Sequence, residues 1–595
     1  MDSKASQGCK QVSQRNAIGQ KLTDLAWQGE RMYAGLAGGV LVNAYLKIRQ
    51  RRIQRFLNAT ANSPAVQKDV LLKKIRRNIE SDFGQEHGFG QIRTIADFRN
   101  QVPIGDYEHY RPFIDRVKQG EVQAMFGPNT KVLMFALSSG TTQEAKHLPI
   151  TREFFQEYRR GWDLWGVQAY WDHPTIRTSN MVQLTSDWQQ YQTPGQIPCG
   201  NISGFARDSA SFVARWLYAL PGILMKIRDP EAKLYTALRL TIDGMRIGLL
   251  ITANPSTLVN LAKLADQHRE TLVRDIHNGT LASSFDIPQE IRQALQWRTR
   301  RPLPWRAKQL EREIESTGHL YPRDFWKDLG VIGVWSGGTV GAYHEQLRNY
   351  YGNVAFRDHG LHASEGRMTI PLEDGTSSGI LDILNNYFEF IPEEEYGSRQ
   401  PTVLEGHELE VGKNYYILLS TSGGLYRYDI QDVVRCDGFQ GQAPMLSFLN
   451  KGAYISSITG EKLSGFQIVE AIRKGFKEFN FPLELFTMAP EWGDPPGYVL
   501  LLEPGFPQSS YSHLAETIDQ HLSKLNVEYE DRLNTNRLRP LRIEEVPEGT
   551  WNSMREGKLR QKGGSLEQYK HPCLATSLDF LDSIQGQSLS TQTYQ

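Results

Sequence analysis

The chain has 595 residues, too many for one hydrophobic core, so at least two domains are expected. Hydrophobic residues make up 39% and charged residues 23%, and Lys plus Arg (67) balances Asp plus Glu (67), which removes any whole-molecule argument for nucleic acid or an anionic membrane as partner. The cysteines Cys9, Cys199, Cys436 and Cys573 form no CxxC pair and no dense framework, which argues against a zinc site or a secreted disulfide scaffold and leaves the cytoplasm as the expected compartment.

The N-terminal stretch MDSKASQGCK lacks the apolar run of a signal peptide, and residues 1–20 read as disordered. Residues 32–46, MYAGLAGGVLVNAYL, precede Lys47, Arg49, Arg51, Arg52 and Arg55 and so have the flanks of a membrane stop. The segment contains Gly35, Gly38, Gly39 and Asn43 and falls short of the roughly 20 apolar residues that a span needs. It reads as a buried or surface-lying helix, and membrane contact is not expected.

Residues 64–120 alternate helical stretches with charged loops. Runs rich in β-branched and aromatic residues predict strands at Lys131–Leu137, Leu329–Trp335, Tyr415–Leu419 and Tyr498–Leu502. Between them, residues 254–276 repeat Leu258, Leu261, Leu264 and Leu272 on one face and predict a helix. Strands mixed with long helices place the chain in the α/β class. Arg298–Lys308, RTRRPLPWRAK, interleaves basic residues with tryptophan as nucleic-acid binders do. The acidic EREIE that follows neutralises it, and a solvated loop leading into a helix is the better reading. The tail 583–595 reads as disordered.

Three short segments point to chemistry. The first, LSSGTTQEAKHLPIT (Leu137–Thr151), puts small hydroxyl residues directly after a strand, where backbone N–H groups and hydroxyls can receive a phosphate, with Lys146 adding positive charge. It is not a Walker A loop, because Ala145 stands where the second glycine belongs, and no GxGxxG follows a strand. The second, LHASEGR (Leu361–Arg367), sets Glu365 between small residues, and a glutamate suits a magnesium ion that bridges phosphates. The third, GLYRYDIQDVVRCDGF (Gly424–Phe439), carries Asp432 before an apolar pair, and an aspartate can accept hydrogen bonds from two ribose hydroxyls. Each alone is equally a surface turn. Their order is what raises them above chance.

In that order the segments resemble the three nucleotide-binding motifs of the Gretchen Hagen family of acyl acid amido synthetases, known from auxin-responsive plant genes and also found in bacteria. The family belongs to the adenylate-forming superfamily. ITANPSTL, LGVIGVWSGGTVGAYHEQLRNYYG, NYFEFIPEEE and GSLEQYKHP also resemble its segments, so the likeness runs from about residue 80 to about residue 575.

The resemblance implies an ATP- and magnesium-dependent ligase that adenylates a carboxylic acid and passes the acyl group to an amine, usually an amino acid. It implies that Ser138, Ser139, Gly140, Thr141 and Thr142 handle the ATP phosphates, that Ser364 and Glu365 form the second motif with Glu365 at the magnesium ion, and that Asp432 holds the ribose with Tyr426 and Arg427 beside it. Lys570 in EQYKHP is expected to serve adenylation, and Lys462 in TGEKLS the second half-reaction. The implied fold is a large N-terminal domain of mixed β-sheets flanked by helices (1–434), a hinge at 435–450 and a small mobile α/β domain at 451–582.

Two positions depart from the family. Leu361 stands where an aromatic residue usually opens the second motif, and Gln431 stands where glycine usually precedes the ribose aspartate. The acyl pocket is not legible. Trp162, Trp165, Tyr170 and Trp171 are candidates, though a hydrophobic core accounts for most of them. Transfer to a thiol such as coenzyme A, and nucleotide binding without turnover, stay open as alternatives.

Overall fold

The computed structural model describes residues 39–584, apart from 41, 139–145, 211–214, 216, 254, 338–342, 453–454, 457, 460, 462, 494, 535–537 and 563–570. Residues 1–20, most of the glycine-containing segment and the tail beyond residue 584 therefore lie outside the described residues.

The strand runs predicted from composition form, each within two residues of its expected ends: Val132–Ser138, Val331–Val334, Asn414–Ser420 and Gly497–Leu502. They belong to four separate sheets. The strand that leads into the first motif pairs with Lys146–Thr151 (antiparallel) and with Pro198–Gly200 (parallel). A second sheet is wholly parallel, in the order Asn180–Gln183, Ile247–Thr252, Val331–Val334, Ala355–Arg357. Ile247–Thr252 and Val331–Val334 are buried throughout, as a sheet covered on both faces requires.

A third sheet is antiparallel and six-stranded, ordered Thr369–Ile370, Gly379–Leu381, Ala443–Lys451, Tyr428–Gln440, Asn414–Ser420, Tyr387–Pro392. The fourth is C-terminal and three-stranded: Phe486–Glu491, Gly497–Leu502, Arg542–Glu545. The α/β class is as expected.

Packing follows these sheets. One buried cluster joins the first-motif sheet to the six-stranded sheet through residues such as Phe135, Trp165, Tyr387 and Tyr426. A second encloses the parallel sheet, and a third lies between the C-terminal sheet and the helices Gly465–Glu478 and Tyr511–Leu525.

Two sequence expectations meet the structure differently. The helix read over 254–276 is two helices, Pro255–Gln267 and Arg269–Asn278, broken at His268. The first packs on Pro230–Thr241 and Tyr343–Tyr351 and the second mainly on Pro304–Thr317, so no straight axis serves both. The basic stretch at 298–308 is not simply solvated: Arg306 is buried and donates to the carbonyls of Ile242 (2.8 Å) and Phe325 (3.1 Å), and Arg298 donates to that of Leu240 (2.6 Å). Its charge caps backbone oxygens rather than facing a ligand.

Within 435–450, where a hinge is expected, the strands Tyr428–Gln440 and Ala443–Lys451 meet at a two-residue turn, with Arg435 paired to Ser447 and Cys436 to Leu446 inside the six-stranded sheet. Residues 42–59 are helical, burying Val42, Leu46, Ile53 and Phe56, while Arg49 and Arg52 pair with Asp163. Among the described residues, no helix is long and apolar enough to cross a membrane.

Candidate functional site

Of the first motif, only Ser138 is described. It closes the strand Val132–Ser138 opposite Lys146, so the loop between them bridges two hydrogen-bonded strands. Ser139, Gly140, Thr141 and Thr142 lie outside the described residues. The flank is well fixed. The Lys146 ammonium sits 5.4 Å from the ring centre of Tyr107, whose hydroxyl accepts the His147 N–H (2.9 Å). His147 Nε2 in turn lies 2.7 Å from the Tyr191 hydroxyl.

The second motif is a β-hairpin. His362–Ala363 pairs with Gly366–Arg367, and Ser364 and Glu365 are the two residues of its turn. Glu365 is 5% exposed, so its carboxylate sits at a tight bend with little water around it. Arg367 anchors the hairpin. Its guanidinium donates to the carbonyls of His359 (2.7 Å) and Thr369 (3.2 Å) and lies over the Trp162 ring, 4.6 Å from its centre. Gly161 permits this approach, since a Cβ there would lie 2.3 Å from Cδ of Arg367.

Below the hairpin, the Trp165 indole donates to the Asp358 carbonyl (2.6 Å), and the Asp358 carboxylate accepts from the Ser336 and Gly360 N–H groups (both 2.6 Å). Burial pushes Asp358 up to about 6 despite these bonds, which act in the opposite direction. Leu361, the departure from the family's aromatic residue, is buried in the main core.

Of the other aromatic candidates, Trp165 and Tyr170 are buried and Trp171 is exposed. Trp162, with its ring centre 5.4 Å from that of His362, is the one set directly against the motif hairpin.

The third motif opens the strand Tyr428–Gln440. Tyr426 is fully buried: its hydroxyl accepts from Asn78 (2.9 Å) and donates to the Lys74 carbonyl (3.2 Å), and its backbone N–H donates to the Tyr110 hydroxyl (3.0 Å). Arg427 is also buried, pairing with Glu389 (3.0 Å) and donating to the carbonyls of Arg99 (3.1 Å) and Val102 (2.9 Å). The Tyr426 hydroxyl and Arg427 Nε and Nη1 are engaged within the protein.

Asp432 is 3% exposed and sits where the ladder is irregular. Pairing with Asn414–Ser420 shifts register between Tyr416 and Leu418, and pairing with Ala443–Lys451 shifts between Val433 and Val434. Such bulges re-aim a side chain without ending the strand. Gln431 has φ +61°, the left-handed conformation in which glycine is at ease. Glutamine thus takes a conformation suited to glycine, and its peptide groups are held there by bonds to Asp429 (2.8 Å) and Gly452 (2.7 Å).

The second motif lies against the strand beside the third: a Cβ on Gly366 would lie 3.7 Å from the Leu419 side chain, and Leu419 pairs with Tyr428, whose buried phenol is pushed up first by desolvation and then by the charge of Glu365.

Lys462 and Lys570 lie outside the described residues. Their neighbours are anchored. Glu461 is fully buried and accepts from the Ile458 and Thr459 N–H groups (2.7 and 2.8 Å) and from the Tyr498 hydroxyl. Its burial pushes its pKa up, but the hydrogen bonds win, and the carboxyl is held below its usual range. His571 lies 3.0 Å from both the Phe486 carbonyl and the Thr487 hydroxyl, and the chain beyond it bridges to Met488 at the sheet edge.

Sequence reading missed Glu389, Tyr396, Asp429 and Glu461. Asp429 and Glu461 lie inside quoted motifs. Tyr396 lies 33 residues from its partner Asp429 and gave no local signal.

Sequence models of the GH3 family N-terminal, central and C-terminal domains match residues 52–356, 379–451 and 466–579 in turn. The chain belongs to the GH3 family.

This GH3 chain is 24% identical to the indole-3-acetic acid-amido synthetase GH3.6 of Arabidopsis thaliana, over 88% of its own length and 90% of the relative's. It is 23% identical to the jasmonoyl–L-amino acid synthetase GH3.5 of Oryza sativa subsp. japonica, over 88% and 94%. Its fold is similar to the solved GH3.15 acyl acid amido synthetase in complex with 2,4-DB, with a TM-score of 0.80 and 20% identity, covering 91% of this chain and 96% of that one.

Proposed function

We propose that this chain is an ATP-dependent acid–amino acid ligase. It adenylates a carboxylic acid, releasing pyrophosphate, and then transfers the acyl group to the amine of an amino acid, releasing AMP. The observation that carries this reading is the match of the three GH3 domain models in turn over residues 52–579, together with the buried Glu365 in a hairpin packed against the strand that pairs with Tyr428. Both relatives named above are amido synthetases that join a carboxylic acid to an amino acid.

A free carboxylate acylates poorly because oxide is a poor leaving group. In the first step a carboxylate oxygen attacks the α-phosphorus of ATP and the bond to the pyrophosphate oxygen breaks. In the second the amine attacks the acyl carbon, loses a proton and expels AMP. Both steps depend mainly on positioning and charge neutralisation.

In this reading Ser138 and the loop 139–142 receive the phosphates, Asp432 holds the ribose, and Ser364 sets the hairpin turn. Tyr426 and Arg427, already bonded within the core, position the strand of Asp432 rather than touch the nucleotide. Glu365 supplies one hard oxygen. Among the described residues no group of three or more metal-ligating side chains converges, so Glu365 would share a magnesium ion with phosphate oxygens and water. Bound there, the ion would neutralise phosphate charge.

Lys570, next to the pinned His571, serves adenylation, and Lys462, next to the pinned Glu461, serves the second step. The acyl acid is of the aryl, indolyl or fatty class, with Trp162 as a candidate wall of its pocket.

The test supplies a library of carboxylic acids with magnesium, ATP and either a mixture of amino acids or coenzyme A, and reads products by mass. An acyl–amino acid amide with AMP is expected. Acyl-coenzyme A alone would replace the acceptor, and no product with any acid would overturn the enzyme reading.

A further inference from the structure

The glutamine before the ribose aspartate raises a physical problem. With φ +61°, its Cβ crowds the neighbouring carbonyl, which glycine would avoid, so something must hold it there. We infer that Tyr396 and Asp429 are positioning residues that lock Gln431 in the left-handed conformation and thereby fix the Asp432 carboxylate on the ATP ribose. This rests on the reading of Asp432 as the ribose ligand.

The lock is a closed chain of contacts. The Gln431 N–H donates to Asp429 Oδ1 (2.8 Å), and the Tyr396 hydroxyl donates to Asp429 Oδ2 (2.7 Å), so the carboxylate cannot swing away from the peptide it holds. The Tyr396 ring lies flat on Tyr416, with centroids 3.5 Å apart and planes 7° apart. Tyr416 stands opposite Val433 in the adjacent strand, at the register shift itself.

On the other side the Gly452 N–H donates to the Gln431 carbonyl (2.7 Å). Gly452 fits only because it has no side chain: a Cβ there would lie 2.4 Å from the Tyr416 ring. Both peptide groups of Gln431 are therefore held. The loop bearing Tyr396 is fixed in turn, by the Thr402 N–H on Glu395 (2.6 Å) and by the Asn414 amide on Glu393 (2.8 Å). A glycine at 431 would need none of this.

The test is calorimetric titration of magnesium-ATP, which needs no knowledge of the acid. It compares the wild type with Tyr396→Phe and Asp429→Ala, each alone and combined with Gln431→Gly. Each single variant is expected to weaken ATP binding, Asp429→Ala by about tenfold, as the loss of one buried hydrogen bond to a charged group implies. Adding Gln431→Gly should restore most of the affinity, which relief of a merely structural defect elsewhere would not do. Tyr396→Phe keeps the stack and half-exposed position, so it carries the test if Asp429→Ala fails to fold. Unchanged affinity in both single variants, or a loss that Gln431→Gly does not reduce, overturns the lock. A wild type that binds no ATP overturns the nucleotide reading along with it.

Discussion

The six-stranded sheet and the C-terminal three-stranded sheet are built to different rules. In the C-terminal sheet, Phe486–Glu491 pairs with Gly497–Leu502 without a register shift, and Gly497–Leu502 with Arg542–Glu545 likewise. Among the described residues around that sheet, the one non-glycine residue at positive φ is Asn480, just past the helix Gly465–Glu478, where asparagine commonly ends a helix. In the six-stranded sheet the long strand Tyr428–Gln440 shifts register against both neighbours, and Arg427 and Gln431 take positive φ around its start. Neither residue type is at ease there. Each is held by bonds to distant side chains, Arg427 to Glu389 and Gln431 through Asp429 to Tyr396. Regular pairing suffices where a sheet only packs. Strain is retained where a side chain must be aimed, and here that side chain is Asp432.

If that contrast reflects function, substitutions in the two regions should fail in different ways. The largest effect is expected where the C-terminal unit itself enters the chemistry. Lys570→Ala should slow adenylation by about 10²–10³-fold, the cost of one preorganised electrostatic contact. It should spare amide formation from a prepared acyl-adenylate, because that step releases no pyrophosphate. Single-turnover assays of the two steps decide, and equal losses would assign the lysine elsewhere.

Next comes the aimed carboxylate. Asp432→Ala should weaken ATP binding by about 1.5–3 kcal/mol for each charge-assisted bond to ribose that is lost, with the thermal midpoint little changed. Calorimetric titration measures it, and unchanged affinity would move the ribose off this bulge.

Tyr426→Phe should do the reverse. It leaves the Asn78 amide without its acceptor in a buried site, at a cost of about 1–3 kcal/mol in stability. ATP affinity should stay where it was. A selective loss of ATP affinity would return Tyr426 to the nucleotide.

The smallest effect belongs beside the regular sheet, on the helix Tyr511–Leu525. Asp519, beside Tyr529 (2.6 Å) and the Leu541 N–H (2.8 Å), is pushed by burial from 3.8 up to about 6. Between those values the folded chain holds a proton that the unfolded chain has lost, so this group's contribution is present below the lower value and falls as pH rises through about 6. Asp519→Asn should flatten the fall in thermal midpoint across that window. An unchanged pH slope would mean that the group titrates normally.

Much of this was legible in sequence, for identifiable reasons. The four strand runs are dense in Val, Ile, Leu and aromatic residues, and burial on both faces keeps such runs continuous. Glu365 and Asp432 stood out through the order of their segments after the small hydroxyl loop, since each alone reads equally as a surface turn. For Tyr426 and Arg427 the burial and the bonds to Asn78, Lys74 and Glu389 were not legible, because those partners lie far away in sequence. Where a hinge was expected, at 435–450, the chain forms a hairpin whose place in the six-stranded sheet rests on the distant strands Gly379–Leu381 and Asn414–Ser420. The absence of glycine at 431 was visible, but what compensates for it was not, since Tyr396 reaches Asp429 from 33 residues away.

The central claim is that Glu365 and Asp432 together make an adenylating centre. Carboxylate-dependent exchange of labelled pyrophosphate into ATP, run with wild type and Glu365→Gln over aryl, indolyl and fatty acids, tests it most directly. The account predicts exchange that requires both magnesium and an acid, reduced by about 10²-fold or more in the variant while its thermal midpoint holds. No exchange with any acid, or equal exchange by the two proteins, would contradict it.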